Sequence, residues 1–476
     1  MKKHKNRTKI IATIGPASIS KEVMERMIKH GVNVCRINAS HGDHKMQQEI
    51  INNVRKLNKK LDVHVALLYD LQGPKLRIGD VINNSVILEE NGEVELTIKE
   101  CFSDHKKIFV KYPLFHNDIQ VGDTVLIDDG KIELLIVKKN KKDSVIAKVI
   151  HGGALSSKKG LNLPYTKISL SSLGEKDKND LEFALENEVE WIGLSFVRKA
   201  DDVKELKNII QSKGSRARVI AKIEKPEALR DIDDIIAATD GIMVARGDLG
   251  VEIAMEKVPL IQKMLVKKCS VASKPVIIAT QMMESMITNY RPTRAETNDV
   301  ANSVFDGADA VMLSGETSVG AYPVKVVEAM HKIIAMSEGE DSIYNRHLPP
   351  EKHSATFISD SICYNSCIMA EHSGAKAIIA MTHSGYTAFK ISSQRPHAHV
   401  YIFTDNKVLL NTLSLVWGVE GFYYDKYIST DDTIKDIKNF LKRNGFLKKD
   451  DLTINVASTP LEDKGTANMI KLSVID

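Results

Sequence analysis

The sequence predicts an α/β protein: a (β/α)8 TIM barrel with an inserted β-barrel lid domain and a C-terminal α/β domain. Three observations carry this reading. Eight short β-branched or aliphatic runs lie before residue 314, and nearly all end in a polar or charged residue. Amphipathic stretches separate most of them, which is the alternation of a parallel sheet. Between the third and fourth runs the pattern changes to short strands with tight turns, and beyond residue 338 helix and strand alternate afresh.

The eight runs cover residues 10–14, 32–37, 63–69, 191–196, 219–223, 241–244, 276–279 and 310–313. At or just past their ends stand Thr13, Arg36 with Asn38 and Ser40, Asp70, and Ser195. Lys222 with Glu224, Arg246 with Asp248, Thr280, and Ser314 with Glu316 complete the set. Eight such units close into a barrel whose chemistry sits at the carboxyl ends of the strands. One mouth would then collect arginine, lysine, carboxylates and hydroxyls, a set suited to phosphate and magnesium. Residues 1–72 and 164–338 are expected to form this catalytic barrel.

The insertion, residues 73–163, reads as strands at 86–88, 93–98, 108–110, 124–127, 131–137 and 144–150. Its turns are marked by Asn91 and Gly92, by Asp129 and Gly130, and by a polar tip at 139–143. Gly73 with Pro74, and Leu163 with Pro164, serve as hinges, because proline restricts its predecessor and glycine permits a sharp reversal. A β-module at the barrel mouth is placed to close over a ligand and exclude water. Residues 339–353 read as a polar linker. The final domain, residues 351–476, has a helical stretch at 355–372 and strands at 377–381, 400–403, 421–424, 452–457 and 470–474. Further helices are expected near 387–393, 407–417 and 430–444.

Composition excludes several classes. The formal net charge is only +4, from 66 basic against 62 acidic residues, so nothing calls for nucleic acid or an anionic membrane. The lysines at 138–142 fit a solvated hairpin. Five cysteines, at 35, 101, 269, 363 and 367, form no CxxC pair and suit a reducing compartment. No run reaches the roughly 18 apolar residues that a membrane span needs. The basic, briefly apolar start is stopped by Gly15 and Pro16 before a signal sequence could form, so a cytoplasmic protein is expected.

Lys222 and Glu224 lie two apart on a strand end, so both side chains point the same way. Asp248 offers a second carboxylate beside Gly247, whose amide a ligand can approach closely. Two acidic oxygens plus substrate phosphates and water suit magnesium, which rarely receives an all-protein cage. A plain ion pair of Lys222 with Glu224 or Asp248 is the competing explanation. Arg36 can fork onto phosphate oxygens. His41 stands near a helix start, where a lone histidine is usually structural.

The stretches TKIIATIGPAS (residues 8–18), NVCRINASHGD (33–43), GPKLR (73–77) and IAKIEKPEAL (220–229) resemble pyruvate kinases. So do MVARGDLGVEI (243–253) and the long segment from Ala279 to Pro323. The similarity spans the whole chain. It implies phosphoryl transfer from phosphoenolpyruvate to ADP, giving ATP and pyruvate, with magnesium, or manganese in its place. By resemblance, Glu224 and Asp248 hold the metal, Lys222 stabilises charge in transit, and Arg36 contacts phosphate. The amides of Gly247 and Asp248 with the Thr280 hydroxyl resemble the substrate carboxylate site, and Thr280 also joins a proton relay. Asn38, His41, Arg77 and Lys159 match positions that contact nucleotide or phosphates. The resemblance also implies a homotetramer.

One departure is informative. Potassium-dependent relatives carry a threonine-lysine pair and a glutamate where this chain has Leu71, Gln72 and Lys75. The Lys75 ammonium is expected to replace potassium, accepted by the oxygens of Asn38, Ser40 and Asp70, so that potassium is not required. In the last domain Thr382, His383, Ser384, Gly385, Tyr386 and Thr387 follow a strand and open a helix. That loop resembles the effector-phosphate loop of regulated relatives, taking a sugar phosphate or nucleotide. A silent metabolite-binding regulator and a magnesium-enolate enzyme acting on keto acids are the alternatives. The joint presence of Lys222, Glu224, Asp248, Thr280 and Arg36 argues against the first, and the long lid against the second.

Overall fold

The computed structural model describes residues 6–140, 143–164, 166–426, 429–459 and 465–476. Part of the expected hairpin tip, residues 141 and 142, lies outside these. Eight parallel strands close into a barrel: Lys9–Thr13, Val32–Asn38, Ala66–Asp70, Trp191–Leu194, Arg218–Ile223, Gly241–Ala245, Val276–Ala279 and Ala310–Leu313. The order around the barrel follows the chain, and the eighth strand pairs with the first. The third strand begins later than its apolar run. Asn58 bonds both the amide and the carbonyl of Val65 at 2.9 Å, which holds the approach to the strand as a turn.

Strand alternation divides the barrel residues into two sets. Ile10, Ala12, Cys35, Ile37, Leu67, Tyr69, Ile192 and Ile223 pack outward with the surrounding helices. Ile11, Val34, Leu68, Trp191, Ile220, Met243, Ile277 and Met312 join a second cluster. Thr13, Arg36, Asp70 and Lys222 continue that second phase to the carboxyl ends of their strands. The same periodicity that fills the barrel therefore aims these four polar groups at its mouth.

The insertion forms a six-stranded sheet in the order Leu161–Asn162, Thr124–Ile127, Ile132–Lys139, Ser144–His151, Glu93–Thr97, Lys107–Phe109. Residues 76–79 bond to both of its outer strands or their flanks, through Leu161 N to Leu76 O (3.0 Å) and Gly79 N to Phe109 O (2.7 Å). The barrel expected from sequence is thus completed by a segment that is not a regular strand. A two-stranded ribbon of Ser85–Leu88 and Gly153–Ser156 adds to it, and Gly153–Ser156 had no counterpart in the sequence reading.

The last domain is a five-stranded sheet in the order Val419–Tyr423, His399–Thr404, Ala377–Met381, Leu452–Ala457, Met469–Val474, the final strand antiparallel. The helix expected at 407–417 stops at Thr412 and continues only as a 3-10 turn, Leu413–Leu415, before Gly418 at φ 67° reverses the chain. This domain closes the amino-terminal end of the barrel. The inner barrel residues share one apolar cluster with its Leu413, Leu415 and Val416. The fully buried Trp191 donates its indole N–H to Thr412 O at 3.2 Å, and Lys9 Nζ donates to Val419 O at 3.0 Å.

Candidate active site

At the mouth, Asp70 is the hub. Its Oδ2 accepts Nε and Nη2 of Arg36 at 2.9 and 2.6 Å, and its Oδ1 faces Lys222 Nζ at 3.3 Å. Gly193, on the neighbouring strand, makes room for this carboxylate, since a Cβ there would lie 2.8 Å from Asp70 Oδ1. Burial would raise the Asp70 carboxyl, but Lys222 and Arg36 outweigh it and hold it below the ordinary carboxylate range. Arg36 also donates from Nη1 to Thr13 Oγ1 at 2.9 Å.

Lys222 is 9% exposed. Its ammonium donates to Ser195 Oγ at 2.7 Å and meets Glu224 Oε1 at 3.0 Å. Ser195 passes its own proton to Leu71 O at 2.7 Å. Burial works against the charged lysine, yet Asp70 and Glu224 push its pKa above the ordinary value. The ion pair considered as a competing explanation is therefore present. It serves as the means by which a buried ammonium is held at the mouth.

Glu224 receives the Phe196 amide on Oε2 at 2.6 Å. Burial raises its carboxyl, Lys222 pulls it down, and the charge of Asp248 raises it further. Two cations, Arg36 and Lys222, thus stand against three carboxylates, Asp70, Glu224 and Asp248, which leaves one negative charge uncompensated. Among the described residues no group of three or more His, Cys, Asp or Glu could hold a metal. A divalent cation would have to use Glu224 and Asp248 and take its remaining oxygens from substrate and water, as hard, strongly hydrated cations do. The donor set fits such an ion.

Asp248 is the third residue of the helix Arg246–Glu252, so its amide and that of Gly247 are among the donors a helix start leaves open. Gly247 N donates to Thr280 Oγ1 at 2.7 Å, and the Thr280 hydroxyl donates to Ala279 O at 2.6 Å. Thr280 and Gln281 both take left-handed backbone, φ 67° and 55°. For a β-branched residue that is strained, a state that persists where its surroundings over-determine it. Arg246 supplies the restraint, with a two-pronged pair to Asp299 (2.6 and 2.7 Å) and a bond from Nη2 to Thr280 O at 2.8 Å.

The residues nearer the inserted domain are more open. His41 is exposed, and burial, then Arg77, Arg36 and Lys75, hold its imidazole below the ordinary value. Arg77 bonds Lys158 O at 3.0 Å, and Lys159 pairs with Asp128 at 2.9 Å, both within the lid. Asn38 Oδ1 accepts the Ser40 amide at 3.1 Å. Lys75 is exposed, lines the cleft between lid and barrel with Phe196 and Asp248, and makes no side-chain hydrogen bond or ion pair among the described residues. Asp70 Oδ2 takes both Arg36 bonds, while Oδ1 faces Lys222 at 3.3 Å and accepts no hydrogen bond. In the last domain, Thr382 Oγ1 caps the Gly385 amide at 3.0 Å, His383 meets Asp405 at 2.7 Å, and Thr387 is buried. Ser384 stays exposed, and its carbonyl accepts Arg218 Nη2 at 3.2 Å.

The sequence reading named Ser195 and Thr13 only as strand-end residues and gave them no partner. It missed Lys225 and Glu252, which form a buried ion pair, and Asn162, which donates to Glu252. A lysine directly after Glu224 was the one local signal.

Two family models match the chain: "Pyruvate kinase, barrel domain" over residues 5–327 and "Pyruvate kinase, alpha/beta domain" over residues 360–473. The chain belongs to the pyruvate kinase family. The pyruvate kinase of Corynebacterium glutamicum is 40% identical, with 98% of each chain covered. That of Geobacillus stearothermophilus is 40% identical over 99% of this chain and 81% of its own. A crystal structure of a pyruvate kinase from Cryptosporidium parvum superposes with a TM-score of 0.93 at 33% identity, covering 99% of this chain and 96% of that one. Membership makes the chain a phosphotransferase, and the eight-stranded barrel and C-terminal α/β domain are those of the pyruvate kinase fold.

The Asp70 hub yields a signed pH dependence. Its carboxyl is depressed in the folded protein, so its contribution is full above the ordinary carboxylate pKa and is lost as pH falls through the folded value. Asp70→Asn should cost roughly 3–5 kcal/mol at neutral pH, because it leaves two buried cations short of a partner. Urea unfolding of parent and variant at pH 7 and at about pH 3, below the ordinary carboxylate value of 3.8, should show the gap narrowing at the lower pH.

Proposed function

We propose that this pyruvate kinase transfers the phosphoryl group of phosphoenolpyruvate to ADP, releasing ATP and, after protonation of the enolate, pyruvate. The observation that carries the reading is the Lys222 ammonium, held at the mouth by Asp70, Glu224 and Ser195 beside a second carboxylate at Asp248. Arg36 and Lys222 meet the phosphoryl oxygens from two sides, with positions fixed before substrate arrives, and preorganised charge of this kind is the main lever in phosphoryl transfer. The Gly247 and Asp248 amides receive the substrate carboxylate, which then competes with Thr280 for the Gly247 amide. The Thr280 hydroxyl joins a water relay that carries a solvent proton to the methylene carbon, taking up one proton as it hands on another. Asn38, His41, Arg77 and Lys159 take the nucleotide phosphates, those on the lid arriving as it closes. Glu224 and Asp248 would hold magnesium, or manganese, which would supply positive charge to the developing negative charge of the reaction. The working protein is a cytoplasmic homotetramer, with residues 73–163 acting as the lid.

Glu224→Gln or Asp248→Asn should weaken manganese binding, followed by electron paramagnetic resonance, and reduce pyruvate formation, because a neutral amide is a poorer ligand for a hard cation. Lys222→Met should lower turnover by roughly a hundredfold or more. It also breaks the pair with Asp70, so stability should be measured alongside. Full activity in excess chelator would remove the metal from the reading.

The chain is also proposed to work without potassium. The Lys75 ammonium, without a partner in the cleft, can reach toward Asn38, Ser40 and the Leu71–Asp70 turn when the lid closes over substrate. Activity in tetramethylammonium buffer should then nearly equal activity in potassium. Lys75→Glu should be poorly active without potassium and partly rescued by it. Strong potassium activation of the parent would return Lys75 to an ordinary hinge lysine.

Residues Thr382 to Thr387 are proposed to bind a phosphorylated effector, a sugar phosphate or a nucleotide, next to the exposed Ser384. Calorimetry with both classes should find one that binds and changes the apparent affinity for phosphoenolpyruvate, and linkage requires the reverse effect in equal measure. Ser384→Glu should abolish it. Binding that survives this substitution would show the loop to be structural.

A further inference from the structure

Beside the metal carboxylates lies a second buried ion pair with no place in the steps above. Lys225 directly follows Glu224, and Glu252 ends the helix that carries Gly247 and Asp248. Lys225 is 7% exposed and Glu252 1%, and Lys225 Nζ meets Glu252 Oε1 at 2.6 Å. The same oxygen accepts Asn162 Nδ2 from the lid at 2.8 Å, while Glu252 Oε2 is buried without a hydrogen-bond partner. Asn162 ends the last lid strand, immediately before the second hinge at Leu163 and Pro164. Lys225, Asp248 and Asn162 line one cleft.

The two hinges are anchored differently. At the first, the buried Asp177 accepts the Gly73 amide on Oδ1 (2.9 Å) and the Gly174 amide on Oδ2 (3.0 Å). Gly73 itself has φ 67°, and a Cβ there would lie 2.9 Å from Ser195 Cβ. That hinge is fixed by a buried carboxylate that grips its main-chain amide. At the second, one side-chain amide on Glu252 makes the link.

A buried ammonium needs a carboxylate. If Glu252 were not facing Lys225, the carboxylates left in the same cleft would be Asp248, which the cation itself requires, and Asp129 of the lid. We propose that Glu252 is a positioning residue that keeps the Lys225 charge away from Asp248, and that Asn162 ties this arrangement to the seated lid. The proposal rests on the reading of Glu224 and Asp248 as the metal-binding pair.

Manganese affinity of the full-length chain, measured by electron paramagnetic resonance without substrates, tests it. Glu252→Gln should weaken binding by roughly tenfold or more, the scale seen when a group that orients metal ligands is changed. The double variant Glu252→Gln with Lys225→Met removes the stray ammonium and should restore most of the affinity. A merely structural pair would also recover stability in the double variant, because removing both partners of a buried pair costs less than removing one. Urea unfolding of the same variants separates the roles. Positioning predicts weakened manganese binding in Glu252→Gln under conditions where that variant is still fully folded, and a structural role predicts parent-like binding there. Asn162→Ala should leave manganese affinity unchanged and raise the KM for phosphoenolpyruvate by roughly three- to tenfold with kcat nearly constant, as expected when the competent lid position is less populated. Parent-like manganese binding in Glu252→Gln, or no rescue in the double variant, overturns the role of Glu252. An unchanged KM in Asn162→Ala overturns the tie to the lid. A parent chain that binds no manganese would instead fail the metal reading, and the proposal with it.

Discussion

The constraint on which the site depends is the survival of a lysine ammonium inside a barrel. Lys222 is in phase with Ile220, a residue of the apolar interior, so its charge emerges where the packing ends. Removing a charge from water costs several kcal/mol even after relaxation, and only well-placed partners offset that. Asp70 and Glu224 provide the opposite charge, and Ser195 relays a third contact to the backbone of Leu71. Three strands must be in register for these groups to meet. The barrel pairing of Gly193 with Asp70 on one side and with Ile220 on the other sets that register. The chemistry is therefore as stable as the sheet, and errors in strand alignment would appear first as a misplaced cation.

Much of this was legible in the residue order. Each barrel strand is a short apolar run with a polar residue at its end, and period-two alternation assigns Arg36, Asp70 and Lys222 to one face without any structure. The inserted domain was visible because its strands alternate and its turns carry Asn-Gly and Asp-Gly. Less legible was anything set by distant side chains. Asn58 delays the third strand by bonding Val65, and a run of valine and isoleucine does not reveal that. Residues 76–79 complete the lid sheet by bonding at both sides while showing no strand pattern of their own.

The site divides along the same line. Lys222, Glu224 and Asp248 were readable because they sit at strand ends or just past them. The Lys225–Glu252–Asn162 group was not, because its members come from three elements and each looks unremarkable alone. Lys75 is a different case. The sequence reading set it beside Asn38, Ser40 and Asp70 through the potassium-site pattern of the relatives, and a side chain that the turn at Gly73 carries into the cleft has a position that such a pattern does not encode.

The floor of the barrel has a consequence for how this chain can be divided. Its inner residues, with Trp191 among them, share one apolar cluster with Leu413, Leu415 and Val416 of the C-terminal domain. A barrel cut free after the helix Pro323–Ser337 would present that cluster, and the indole N–H of Trp191, to water. An exposed apolar patch of this kind favours self-association over solubility. The C-terminal domain is thus the lower wall of the barrel, and gene rearrangements that shuffle or shed the one would be expected to lose the other.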